Sequence, residues 1–88
     1  MDKQSLTKEE IQLLRDVSIH GLLNIRNDGR LKLIRCPFHN DRTPSCAIYP
    51  DNGFHCFACG KHGNNAIDFY QASGLSFVDA CIELSKIL

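Results

Sequence analysis

The chain has 88 residues, ten Lys/Arg against ten Asp/Glu, 43% hydrophobic and 23% charged residues, and five cysteines. This composition excludes disorder and a strongly basic nucleic-acid binder, and no stretch approaches the roughly 20 apolar residues of a membrane span. So short a chain buries barely enough surface to fold unaided, so the cysteines point to a staple.

Thr7-Lys8-Glu9-Glu10 has the pattern of a capping box, with Leu6 and Ile11 where a hydrophobic staple sits. Leu13, Leu14 and Val17 continue an apolar face, which predicts a helix from about Lys8 to Asp16. Ser18 can cap a short further turn, weakened by Gly21. Two hairpins are then expected. The first joins "LNIR" to "RLKLI" through Asn27-Asp28-Gly29, and the second joins "CAIY" to "FHCF" through Asp51-Asn52-Gly53. Asn65 with Asp68 starts a helix ending near Gly74. Ser76 with Asp79 opens a last one, with Phe77, Cys81, Leu84 and Leu88 along one face. The expected fold class is α+β: a small zinc ribbon with an antiparallel sheet of about 3–5 strands, flanked by an N-terminal helix and two C-terminal helices. One domain spans 1–88, with the ribbon core at about 23–63 and helical flanks at about 6–17 and 64–87.

The odd cysteine count and the lack of an apolar leader at the N-terminus indicate a reducing, cytoplasmic setting, where clustered thiols more often bind metal than each other. Cys36-Pro37-Phe38-His39 and Cys56-Phe57-Ala58-Cys59-Gly60 are two tight turns, each able to aim two ligands at one ion, with a hairpin between them to bring them together. One structural Zn²⁺ held by Cys36, His39, Cys56 and Cys59 is the expectation. His62 is the rival fourth ligand, since Cys59-Gly-Lys-His62 repeats the spacing; it would draw three ligands from one turn. Cys46 in a strand and Cys81 on a helix face read as small buried hydrophobes, and His20 and His55 as ordinary polar or half-buried residues. Phe54, Phe57, Phe69, Tyr70 and Phe77 read as core, with Phe57, inside a metal turn, the one able to stay exposed. No phosphate loop, acidic metal cluster or Ser/His/Asp set is present, so no catalysis by this chain alone is expected.

The motifs "CPFHNDRTPS" and "HCFACGKHGN" resemble the zinc-binding domain of bacterial and phage DNA primases, and the likeness extends to "AIDF" and loosely to "GLSFVDACIEL". It implies the same four ligands and a ribbon that engages single-stranded template and helps choose where primers start. The family's polymerising domain is not in this sequence. The resemblance therefore implies a free-standing accessory protein of a phage or mobile element, or an excised piece of a primase. Departures are Arg42 where lysine is common, Cys46 where phenylalanine is usual, and an extra asparagine in "GNNAIDF".

Charge is unevenly spread: residues 26–62 sum to +3, against −1 before and −2 after. Two function classes follow. In the first, a module holds single-stranded DNA beside a primase catalytic unit: Arg42, Lys61, Arg35 and Lys32 contact phosphates, and Phe57 or His62 stacks on a base. In the second, a monomeric module docks on a primase, a replicative helicase or a host factor through its acidic C-terminal helices.

Overall fold

The computed structural model describes residues 6–38 and 43–87. Helix α1 spans Lys8–Arg15, and both halves of the expected capping box are made: the Glu10 amide donates to Thr7 Oγ1 (3.1 Å) and the Thr7 amide to Glu10 Oε1 (3.3 Å). Helix α2, Ile19–Leu23, follows at once, with Gly21 N donating to Ser18 Oγ. It ends at Asn24, whose φ of 57° is the left-handed conformation that asparagine tolerates better than most residues.

That cap displaces the first expected hairpin. With Leu23 in a helix and Asn24 turning the chain, "LNIR" cannot extend; the Ile25 amide instead donates to the His20 carbonyl (2.9 Å). Asn27 and Asp28 do form local turns, accepting from Gly29 and Arg30 amides, and Asn27 Nδ2 ties the loop to the Pro50 carbonyl (3.1 Å). The turn signal was sound, but it joins a loop to a strand.

Four strands make one antiparallel sheet in sequence order: β1 (Lys32–Ile34), β2 (Cys46–Ile48), β3 (Phe54–Cys56) and β4 (His62–Gly63). Directly opposed residues share a face, so the register sorts the side chains. Ile34, Cys46, Ile48, Phe54 and Cys56 turn into the core. Leu33, Ala47, His55 and His62 form a row across the other face.

Helices α3 (Ala66–Ala72) and α4 (Phe77–Ser85) close the core with Ile67, Phe69, Ala80, Cys81 and Leu84. Both asparagines of "GNNAIDF" have work: Asn65 Oδ1 accepts from the Asp68 amide (2.9 Å), while Asp68 Oδ2 accepts from the Asn64 amide (3.0 Å). The extra residue thus extends the cap without disturbing the helix start. The N-cap of α4 is Ser76, accepting from Asp79 N. Phe77 departs from expectation, being 37% exposed in the first turn of α4, and Leu88 lies outside the described residues. His20 is more buried than expected, at 2% exposure, and Nε2 has no hydrogen-bond partner among the described residues.

Two small features tie the sheet to the helices. Asn52, at φ 77° in the β2–β3 turn, accepts from the Ile19 amide (2.8 Å) and donates to the Val17 carbonyl (2.9 Å), pinning the hairpin to the α1–α2 junction. Gly63 lets α3 approach the sheet: a Cβ there would overlap Asp68 and come within 2.8 Å of the Phe54 ring.

Candidate metal centre and the sheet face beside it

The Sγ atoms of Cys36, Cys56 and Cys59 all lie within 4.8 Å of one another. Cys36 precedes one turn, and Cys56 ends β3, from which a tight turn carries Cys59 back: Gly60 N donates to Cys56 O (2.8 Å), and Gly60 takes φ 80°. Such a φ suits glycine because it has no Cβ. The Phe38 amide points at Cys36 Sγ (3.4 Å), and the Phe38 ring packs edge-on against Phe69 and tilted against Phe54. The first metal turn is therefore anchored by an aromatic side chain in the core.

The geometry fits a tetrahedral metal. With Zn–S of about 2.3 Å, two thiolates on one zinc lie about 3.8 Å apart. Cys36 and Cys59 Sγ are 3.8 Å apart. Without a cation the group is electrostatically unfavourable: burial first, then the neighbouring sulfurs, pushes the Cys36 thiol up to about 11. A dication offsets both causes.

His39 and Arg42 lie outside the described residues. His62, the rival ligand, is not in the cluster; its Nδ1 is 3.0 Å from the Gly60 carbonyl oxygen, and it faces the other side of the sheet. Cys46 sits opposite Cys56 in the register, yet its sulfur is also outside the cluster. Burial, then the nearby sulfurs, pushes its thiol to about 12, so it packs as a protonated small residue. Cys81, on α4, is fully buried, as expected.

The proposed phosphate contacts separate. Lys32 pairs with Asp28 (3.0 Å), lowering that carboxyl chiefly through its hydrogen bond. Lys61 Nζ donates to the Ala72 carbonyl at the end of α3 (2.7 Å) and lies 5.6 Å from the Phe38 ring centroid. A lysine there complements the helix dipole. Arg35 remains exposed beside β1.

Phe57 is 64% exposed, 4.8 Å from the His55 ring, which in turn lies 5.7 Å from His62. The three rings make a continuous strip on the solvent side. The sequence reading had Phe57 and His62 but not His55. Strand alternation held the signal: His55 stands two residues before Phe57 and opposes His62.

Among known proteins, the CHC2 zinc finger family profile matches residues 5–88. The DNA primase of Chlamydia trachomatis is 37% identical over 87 residues, covering 91% of this chain and 14% of the primase. The Salmonella typhimurium DNA primase is 39% identical over 84 residues, with 93% and 14% covered. A crystal structure of the Aquifex aeolicus primase, comprising zinc-binding and RNA polymerase domains, superposes with a TM-score of 0.65 at 30% identity. The match covers 93% of this chain and 22% of that one. The chain thus spans about a seventh of the curated relatives it matches. With three thiols gathered within 4.8 Å of one another at one end of a four-stranded sheet, it belongs to the CHC2 zinc finger family and is homologous to the N-terminal zinc-binding domain of DNA primases.

Proposed function

We propose that this chain binds single-stranded DNA template and assists primer initiation by a primase catalytic unit, as a non-catalytic module. One structural Zn²⁺ is held by Cys36, His39, Cys56 and Cys59. The ring strip of Phe57, His55 and His62 carries the reading, because Phe54 and Phe69 fill the core while Phe57 and His62 stay exposed with half-buried His55 between them. Base–aromatic stacking contributes about 1–3 kcal/mol per base and tolerates any sequence. The ladder continues past the strand ends, with Ser45 N donating to Ile34 O and Phe57 N to Ser45 O, so Arg35 and Phe57 lie at the metal end of the sheet. Arg35 there, with Arg42 from the adjoining segment, is the proposed backbone contact; Lys32 and Lys61 contribute less because their ammonium groups are engaged.

Anisotropy of a labelled single-stranded oligonucleotide across a salt series tests this. Salt-sensitive binding that Phe57→Ala weakens is the expected result; no binding at low salt would overturn it. A second reading, docking on a primase or replicative helicase, is favoured by one observation: Leu13, Val78 and Ile87 are 60%, 44% and 53% exposed on the helical side. Under that reading Leu13→Asp, and not Phe57→Ala, would abolish partner binding.

A further inference from the structure

His55 and His62 are unused by the thiol cluster, and their arrangement has a chemistry of its own. They are directly opposed across β3 and β4, on the face away from Cys56, with ring centroids 5.7 Å apart and planes 23° apart. Two imidazoles on one zinc-like ion hold their centroids about 5.2 Å apart, taking metal–nitrogen bonds of about 2.0–2.1 Å, a ring radius of about 1.1 Å and a tetrahedral angle. The observed spacing is within about 0.5 Å of that, a difference that side-chain rotation absorbs.

Tautomer and surroundings agree. The Gly60 carbonyl can only accept, so neutral His62 carries its proton on Nδ1 and presents a lone pair at Nε2. A backbone carbonyl on the far nitrogen is the usual orienting partner of a metal-bound imidazole. His55 is half-buried, and its ring nitrogens have no hydrogen-bond partner among the described residues. Among the described residues the groove at the pair, about 370 Å³, is lined by Tyr49, Asp51, Asn64 and both histidines, with a carboxylate and no lysine or arginine. That field accepts a cation.

We propose that His55 and His62 form a second, exchangeable site for a divalent late first-row ion such as zinc, with water completing the coordination shell. An ion there fixes two of the three rings in the exposed strip and places positive charge and bound water where a base would stack. Its occupancy therefore opposes single-strand binding. This consequence rests on the function proposed above; the metal site itself does not.

The zinc-loaded chain would be dialysed against rising free Zn²⁺, with zinc content and thermal unfolding measured together. The wild type should step from one bound zinc to two. His55→Gln and His62→Gln should each hold one zinc, with unfolding unchanged. If His55→Gln fails to fold, His62→Gln decides, because glutamine can still donate to the Gly60 carbonyl. A wild type that stays at one zinc, or a second zinc indifferent to both substitutions, would overturn the site. Filling the second site should weaken oligonucleotide binding about 5- to 150-fold, the worth of one stacked base. Two bound zincs with unchanged oligonucleotide affinity would keep the site and overturn the stacking reading.

Discussion

Asn52 shows how one side chain holds two parts of the molecule together. Its amide joins the β2–β3 turn to the α1–α2 junction, and its positive φ rules out most replacements. Asn52→Ala should lower the stability of the zinc-loaded protein by about 2–3 kcal/mol in urea denaturation, at about 1 kcal/mol net per hydrogen bond plus backbone strain. Asn52→Gly relieves the strain and keeps only the hydrogen-bond loss, so it should fall between the wild type and Asn52→Ala; a glycine variant as stable as the wild type would mean the links contribute nothing. The ligand proposal is also a residue-scale claim. His39→Ala should lower zinc affinity by orders of magnitude, while His62→Ala and Cys46→Ser should each retain the structural zinc. Zinc content after dialysis decides, and loss in Cys46→Ser would place its thiol in the ligand set.

At the scale of elements, packing follows from where small residues sit. Gly63→Ala would force α3 away from the sheet, because the new methyl meets Asp68 and the Phe54 ring at once. A cost of about 1–3 kcal/mol is expected from such overpacking, read from the shift of the denaturation midpoint. No shift would mean that α3 is not seated on β4. Most elements were legible in the sequence because their signals are local: the Thr7 box, the Asn65 and Ser76 caps, the Asp51–Gly53 turn and the two cysteine turns. The failure at "LNIR" is equally physical. Its alternation resembles a strand, but Ser18 starts a helix through Gly21 and Asn24 ends it, so capping outweighed periodicity. Phe77 misled because it shares the face of Ala80, Cys81 and Leu84 but is the first residue of α4, where it is left 37% exposed. Of the site, thiol spacing was readable, whereas the engagement of Lys32 and Lys61 was not. Both depend on where other backbone and side-chain groups come to rest.

For the whole molecule, zinc and fold should be inseparable. Small thiolate sites contribute roughly 10–16 kcal/mol of metal binding to folding, against about 5–15 kcal/mol for a typical domain's entire stability. Chelation, or Cys36→Ala, should abolish the cooperative melting transition, and an unchanged transition in the metal-free chain would contradict this. The electrostatics are modest. At a slope of about −0.7 per neutralised phosphate, two to four basic contacts give about −1.4 to −2.8 in log affinity against log salt. Arg35→Ala should flatten that slope by about 0.7 with zinc content unchanged. Under the proposed function the exposed rings act through stacking instead, which salt hardly touches. Oligonucleotide anisotropy for the zinc-loaded wild type and Phe57→Ala, over one salt series, therefore tests the account most directly. The account predicts that Phe57→Ala binds about 5- to 150-fold more weakly at every salt concentration with the slope unchanged. Equal affinities for the two proteins, or a wild type without salt-sensitive binding, would contradict it.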